Sequence, residues 1–318
     1  MPGALENRLR KRDRHLSRWA AREPTDAYRL FDRDLPGYHF AVDRYGEWVV
    51  VHEYPWRPDD PLHESRRQEL LEAVPAALGV PTGRIVVKTH ARQRPLLGRP
   101  RATPSAPPPR PKESPRQTVA HEHGLAFEID LDSHLDVGLF LDHRQTRALV
   151  RSLAKGRRVL NLFCYSGAFT VHAAAGGARE SVSVDLSQRY LDWTRRNLEL
   201  NRLASPRHAL VRGDVLEVLE RGLSRGSFGP FDLVVLDPPP RSTSKRGRAF
   251  ELPLDQGRFL APAARLLAPG GVLFFSTSAP GFQLDPGPLA SCRILELTAL
   301  PPDFEGKRAR RCWRIERP

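Results

Sequence analysis

From residue 142 onward the chain alternates between helical and extended patterning in short segments, a rhythm that few folds accommodate. The pattern predicts helices over His143 to Leu153, Ala168 to Ala175, Gln188 to Asn201, Val215 to Arg221 and Gly257 to Leu267. Between them it predicts strands over Arg158 to Leu162, Ser181 to Asp185, His208 to Arg212, Leu233 to Leu236 and Val272 to Ser276. Strands that alternate with helices build an α/β fold with a doubly wound parallel sheet.

The upstream half reads differently. Leu5, Leu9, Leu16, Trp19 and Ala20 fall near one face of a helix over Leu5 to Arg22, with Arg8, Arg12, Arg14 and Arg18 on the others. "YHFAVDRYGEWVVVHEY" predicts strands Tyr38 to Asp43 and Glu47 to Tyr54, turning at Tyr45-Gly46. "ESRRQELLEAVPAALG" is a helix perturbed at Pro75 and stopped by Gly79; "RIVVKTHA" and "LAFEIDL" supply two more strands. The expected organisation is a basic N-terminal helix (1–26), a small strand-strand-helix-strand-strand α+β module (27–131) and an α/β domain (132–318). Prolines 100, 104, 107, 108, 109, 111 and 115 mark residues 99–118 as an insertion, disordered or polyproline-like, with a proline-recognition motif as the sharper alternative.

Composition narrows the partners. Lys and Arg number 50 against 37 Asp and Glu, a net charge of +13 and a pI near 10.3, which points to a polyanion such as nucleic acid. The plainer alternative is a solubility charge, and the N-terminal helix either lies on RNA or is simply solvated. Cys164, Cys292 and Cys312 form no CxxC pair, so neither a disulfide framework nor a metal site is expected, and a reducing cytoplasm fits. No apolar run approaches the length of a membrane span, and no secretory signal is evident.

In a doubly wound sheet, ligands bind beyond the carboxyl ends of the strands. The first strand leads into "NLFCYSGAF", whose single glycine, Gly167, lacks the G-x-G-x-x-G needed to approach a pyrophosphate. That turn could cradle a nucleotide-like cofactor, present Cys164 as a nucleophile, or merely connect strand to helix. Asp185 ends the second strand, 18 residues past Gly167, a separation that suits ribose hydroxyls. Asp214, after the third, could accept a hydrogen bond from an adenine amine, and "LDPPP" follows the fourth. Together these strand ends ask for ribose and adenine without pyrophosphate, a description that S-adenosylmethionine meets.

"GLFLDHR", "LNLFCYSGAFTVHAAAGGAR", "VDLSQRYLDWTRRNLELN", "LDPPPRSTSKR" and "DFEGKRARRCWRI" resemble the class I methyltransferases that modify large-subunit ribosomal RNA. The match is nearest to the guanine-N7 half of the bacterial enzymes that join two such activities. "ENRLRKRDRHLSRWA", "YRLFDRDLPGYHFAVDRYGEWVVVHEY" and "RIVVKTHARQR" extend the resemblance over nearly the whole chain apart from the proline-rich insertion. It implies a Rossmann-like domain with a mostly parallel seven-stranded sheet, S-adenosylmethionine as cofactor and ribosomal RNA as partner. The family's "GLFLDHR" segment approaches the methionine part of the cofactor, which nominates Phe140, Asp142 and Arg144. The turn nominates Asn161, Phe163, Tyr165 and Gly167; Asp185 would bind ribose, and Asp214 with Val215 adenine. Asp237, Pro238 and Pro239 would line the transfer site, with Lys245 and Arg246 near the RNA. Asp142 reads equally as the N-cap of the following helix, and Lys245 and Arg246 as solvated charges.

The acceptor atom can be argued chemically. Methylating a pyrimidine at carbon-5 needs a thiolate facing the base. The cytosine-methylating branch has a cysteine after the strand that here continues into Ser276, Thr277 and Ser278, and the sequence places no cysteine on the acceptor side. An exocyclic amine commonly uses an Asn/Asp-Pro-Pro-aromatic turn, but here the fourth residue is Pro240. Guanine N7 already carries an in-plane lone pair and needs only positioning, with Asp237 a candidate acceptor for guanine N1-H and N2-H. The chain departs from the guanine-N7 pattern where Thr277, Ser278, Ala279 and Pro280 replace an Asn-Asn-Lys-Arg run and Arg241 replaces an aromatic. The fused partner half, with its THUMP module, is not in this sequence. The competing readings are an RNA-binding protein without turnover, and a methyltransferase for another RNA position or for a non-RNA substrate.

Overall fold

In a computed structural model of the chain, residues 3–54, 61–90, 116–225, 228–242, 247–307 and 310–318 are described. The 99–118 insertion lies mostly outside these residues, as do Lys245 and Arg246. The chain divides into two compact units, Met1–Leu141 and Asp142–Pro318.

In the first unit, α1 (Ala4–Arg22) buries Leu5, Leu9, Leu16, Trp19 and Ala20, the face its apolar spacing predicts. It packs with a sheet of β1 (Ala27–Asp32), β2 (Phe40–Tyr45), β3 (Trp48–Glu53) and β4 (Ile85–Thr89), in that order. The β2-β3 hairpin turns at Gly46-Glu47, one residue later than expected, because Tyr45 still pairs with Trp48, and α2 (His63–Leu78) is the crossover that makes β4 parallel to β3. Gly79, at φ 63°, closes α2. Two strands depart from the sequence reading. β1 was absent from it, because Ala27, Tyr28, Leu30 and Phe31 are all buried and the run shows no clean alternation. β5 (Gln117–Glu122) pairs with β6 (Leu125–Asp130), so the chain is already extended within the last residues assigned to the insertion.

The second unit is built on seven strands. In chain order they are β7 (Arg158–Leu162), β8 (Glu180–Asp185), β9 (His208–Arg212), β10 (Phe231–Leu236), β13 (Leu267–Thr277), β14 (Arg293–Leu297) and β15 (Arg311–Glu316), with a short ribbon of β11 (Arg241–Ser242) and β12 (Phe250–Glu251) between β10 and β13. The sheet order is β14-β15-β13-β10-β7-β8-β9, parallel except for the antiparallel pairings of β15. The helices are α3 (Arg144–Leu153), α4 (Ala168–Ala175), α5 (Gln188–Leu200), α6 (Val215–Arg225) and α7 (Leu252–Arg265).

Helices cover both faces, so the central strands read as continuous apolar runs. Along β10, Leu233 and Val235 pack on the face covered by α3 and α4, with Val150, Phe169 and Ala173. Val234 and Leu236 pack on the face of α6 and α7, with Leu219, Phe259 and Leu260. This period of two governs where the polar strand-end residues point. The order of connection reverses between β7 and β10, and their carboxyl ends therefore open the crevice where a ligand is expected.

Candidate active site

Asp237 follows β10 by one residue and continues the parity of Leu233 and Val235, toward α3. Ser276 continues the parity of Val272 and Phe274 on the neighbouring β13. The two meet: the Ser276 hydroxyl donates to Asp237 Oδ1 at 2.8 Å. His143 Nε2 lies 3.2 Å from Asp237 Oδ2, and Arg310 Nη1 lies 3.5 Å from Oδ1. An ionised carboxylate only accepts, so His143 carries its proton on Nε2 in this contact. Burial would push the Asp237 carboxyl up, but Arg310, His143 and Ser276 outweigh it and hold the group well below the usual carboxylate range. Asp237 is thus an ionised carboxylate surrounded by the protein's own donors, and guanine N1-H and N2-H would have to share it with them. Pro238 is buried and Pro239 exposed.

Asp142 belongs to the same cluster. Its Oδ2 accepts from the Arg310 backbone N–H at 3.2 Å and lies 3.6 Å from Arg310 Nε. The alternative of Asp142 as a helix N-cap is not met: His143 occupies that position on α3, and no side-chain cap bond forms there. Arg144 is fully buried against an equally buried Asp303, at 2.8 Å, which makes its guanidinium part of the packing. Phe140 lies half-buried near the end of the first unit.

The turn after β7 holds an unusual backbone. Phe163 and Tyr165 adopt φ of 58° and 51° without being glycine, and Gly167 adopts 76°. Left-handed non-glycine residues cost of order 1 kcal/mol or more each and gather where a loop must present itself in one fixed shape. Fixing comes from α5. Thr194 Oγ1 donates to the Tyr165 carbonyl at 3.0 Å, Asn197 Nδ2 donates to the Ser166 carbonyl at 2.8 Å, and the Tyr165 ring packs on Tyr190 and Trp193. A Cβ on Gly167 would stand 2.3 Å from Thr194 Cγ2, so close approach to α5 requires glycine here. Asn161 shares the parity of Val159, and its amide donates to Thr170 Oγ1 on α4 at 2.9 Å, buried inside the strand-helix packing. Phe163 packs edge-on against Phe250 and Phe259.

Asp185 is buried and accepts from the backbone N–H of Tyr165 and Ser187, at 3.1 and 2.9 Å. Burial raises its pKa, and those bonds, with one from Leu186, offset this only in part. Asp214 caps α6: Oδ1 accepts from the N–H groups of Leu216 and Glu217, and Oδ2 from that of Arg248. Three of its roughly four acceptor positions are therefore taken by backbone. Val215 is the first helical residue, whose N–H has no partner within the helix.

Neither cysteine near the site is reactive. Burial pushes the Cys164 thiol far up, and its sulfur rests beside Thr194. Cys312 was not placed near the acceptor by sequence, yet it pairs in register with Ser276 and feels Asp237. Burial pushes it up to about 12, which keeps it a thiol. The sequence reading also missed His143, Ser276, Arg310 and Asp303. A signal was present: extending the strand parity one step past β10, and following it along β13, places Asp237 and Ser276 on one face.

A family model described as S-adenosylmethionine-dependent methyltransferase matches residues 64–293, well over half the chain. The chain belongs to the S-adenosylmethionine-dependent methyltransferase family. Among relatives, the ribosomal RNA large subunit methyltransferase K/L of Pseudomonas paraeruginosa is 43% identical over 321 residues, covering 97% of this chain and 41% of that protein. The ribosomal RNA large subunit methyltransferase K of Neisseria meningitidis serogroup B is 39% identical over 316 residues, covering 97% of this chain and 86% of that protein. This chain therefore spans less than half the length of the K/L relative. The crystal structure of SMU.776 complexed with SAH superposes with a TM-score of 0.79 at 25% identity, covering 98% of this chain and 80% of that one.

The residues present suit this family's cofactor. Asp185 is a buried carboxylate whose named partners are neutral backbone donors, and two ribose hydroxyls are the kind of donor it can still accept. The Val215 N–H at a helix start suits a ring nitrogen of adenine. Among the described residues no group of three His, Cys, Asp or Glu is arranged to hold a metal, and no helix is long and apolar enough to cross a membrane.

Proposed function

We propose that this chain transfers the methyl group of S-adenosylmethionine to guanine N7 of large-subunit ribosomal RNA, in the cytoplasm. The relatives' names supply the substrate class. The observation that carries the acceptor atom is the cluster at the end of β10: an ionised Asp237 ringed by His143, Ser276 and Arg310, beside a cysteine held as a thiol. Such a site has no thiolate for a pyrimidine, and Asp237 is poorly suited to take up a proton. Guanine N7 needs neither. Its lone pair forms the new bond to carbon, the bond from carbon to sulfur breaks with its electrons kept by sulfur, and the positive charge moves to the purine.

The cofactor supplies the activated methyl group when bound. In this proposal Asp185 accepts from its ribose, Val215 N–H and the remaining acceptor position of Asp214 meet adenine, and Tyr165 and Gly167 shape the turn against it. Phe140 and Asp142 remain the nominees for the methionine end, while Arg144 and Asn161 act from the packing behind it. Pro238 and Pro239, with fixed φ and no N–H, form a rigid wall that holds the base in line and keeps water out. Lys245 and Arg246 are proposed RNA contacts on sequence grounds alone.

The test is titration calorimetry with S-adenosylmethionine, followed by transfer of a labelled methyl group onto large-subunit RNA from cells lacking the gene. Binding and a borohydride-sensitive mark are expected. Binding without transfer would overturn the proposal in favour of an RNA-binding protein without turnover. Cys312→Ser should retain transfer within about twofold, since a buried thiol contributes packing and no nucleophile; loss of transfer in a folded Cys312→Ser chain would revive covalent pyrimidine chemistry.

A pH dependence follows from Asp185. Its pKa in the folded chain is raised above the usual 3.8, and ribose hydroxyls favour the ionised form. Cofactor affinity is therefore full at neutral pH and falls as the pH drops through that raised value. Asp185→Asn should bind about 2 kcal/mol more weakly at neutral pH, on the scale of hydrogen bonds to a charged group, and show no such slope. Its unliganded stability should fall by about 1 kcal/mol, because one amide oxygen cannot accept from both the Tyr165 and the Ser187 N–H, a loss partly offset by removing a carboxyl whose raised pKa disfavours the fold wherever it is ionised. Calorimetry and thermal unfolding across pH check both statements.

A further inference from the structure

The methyl-transfer site leaves one strong charge pattern unused, on α1. Lys11, Arg14, Arg18 and Arg22 follow one another at three, four and four residues, the spacing that places side chains on a single helix face. All four are exposed. The opposite face, with Leu5, Leu9, Leu16, Trp19 and Ala20, is buried in the core of the first unit. The acids of this helix and its end are engaged elsewhere: Glu6 with Arg10, Asp13 with Arg44 and Glu23 with His123. Among the described residues no carboxylate pairs with any of the four cations. Like charges at this spacing repel by a few tenths of a kcal/mol per pair, so the stripe does nothing for the helix that carries it.

We propose that the Lys11-Arg14-Arg18-Arg22 stripe is a docking surface for the phosphate backbone of the RNA substrate. The inference rests on the ribosomal-RNA reading above and adds to it a surface for the substrate. Twelve residues of helix, Lys11 to Arg22, carry the stripe over about 16 Å. A nucleic-acid strand presents a phosphate roughly every 3.4 Å of axis in B form, so several phosphates lie within reach at once. Three of the four are arginines, whose planar guanidinium grips phosphate with paired donors. An anionic lipid surface fits less well, because a helix that lies on a membrane inserts its apolar face, and here that face is already buried. Phosphate contacts position a substrate without reading its sequence, which leaves target choice to the acceptor pocket.

The experiment compares the full chain with Lys11→Ala/Arg14→Ala/Arg18→Ala/Arg22→Ala in binding a large-subunit RNA fragment between 50 and 200 mM salt. Alanine is the strongest helix former, and the positions are exposed, so the fold and the affinity for S-adenosylmethionine should be unchanged. Each phosphate contact contributes about 0.7 to 0.9 to the slope of log affinity against log salt. The variant is therefore expected to bind at least tenfold more weakly at low salt, with a slope shallower by about 3. Arg14→Lys/Arg18→Lys/Arg22→Lys, which keeps the charge, should keep most of the slope. An alanine variant with unaltered RNA affinity and slope overturns the proposal, as does one that loses binding only to phosphatidylserine vesicles. If the unsubstituted chain binds no RNA at all, the ribosomal-RNA reading itself has failed. If it binds and methylates RNA as well as the variant does, only the docking surface has.

Discussion

Asp237→Ala is expected to lower stability by about 3 kcal/mol and to abolish detectable methyl transfer, because it leaves the buried Arg310 guanidinium and His143 without their shared carboxylate. The Asp237 and Arg310 side chains are 13% and 12% exposed, so solvent screens their attraction only weakly. Asp237→Asn tests charge apart from shape. It keeps an oxygen for the Ser276 hydroxyl but loses the ion pair. The pH behaviour separates the two contributions. Asp237 is held well below the usual carboxylate range in the folded chain. The stability it contributes is therefore fully present above about pH 4, the pKa it regains on unfolding, and disappears as the pH falls through its folded value. Urea unfolding of parent and Asp237→Asn should differ by a constant amount from neutrality down to mildly acid conditions, then converge. Ser276→Ala, which removes one neutral donor to the same carboxylate, should cost about 1 kcal/mol. A variant at Asp237 as stable and as active as the parent would mean that the cluster is incidental to the reaction.

Gly167→Ala should destabilise the fold by about 3 kcal/mol and weaken S-adenosylmethionine binding by at least tenfold. Two causes add. A left-handed backbone costs alanine roughly 1–2 kcal/mol. The added Cβ would also meet Thr194 at 2.3 Å to Cγ2 and 2.7 Å to Cβ, and overpacking of that kind costs roughly 1–3 kcal/mol. Thr194 cannot easily yield, since its hydroxyl bonds to the Tyr165 and Tyr190 carbonyls. Displacement of the turn would also move the Tyr165 N–H away from Asp185, which carries the effect to the cofactor. Gly281→Ala is the control. Gly281 is also left-handed, at φ 67°, with nothing within 4 Å of the added atom, so its change should cost about 1 kcal/mol and leave binding intact. Thermal unfolding and calorimetry on the two variants give the comparison.

How far the sequence foretold this structure depends on how local each signal is. The parallel strands were readable because β7, β8, β9 and β10 are short apolar runs separated by helices with clear periodicity. β1, β5, β14 and β15 were missed: β1 is buried except for a half-buried Arg29, β5 emerges from a proline-rich run, and "RILEL" and "RCWRIE" owe their strand character to antiparallel pairing with each other and with β13. The carboxylates at the strand ends were readable from spacing, but their partners were not. His143, Ser276 and Arg310 stand 94, 39 and 73 residues from Asp237, and only the finished sheet brings them together. The same holds for Asp214, whose helix-capping bonds depend on where α6 starts, and for Arg144, which needs Asp303 from 159 residues away. For Asn161 the signal is local: its parity, visible in the sequence, turns it toward Thr170 on α4.

Mass spectrometry of large-subunit rRNA nucleosides, from cells with the gene, without it, and with it restored, tests the central claim most directly. The account predicts one 7-methylguanosine that disappears on deletion, returns with the unsubstituted gene and fails to return with Asp237→Ala. An identical 7-methylguanosine content in all of these strains, or the loss of a methylated pyrimidine instead, would contradict it.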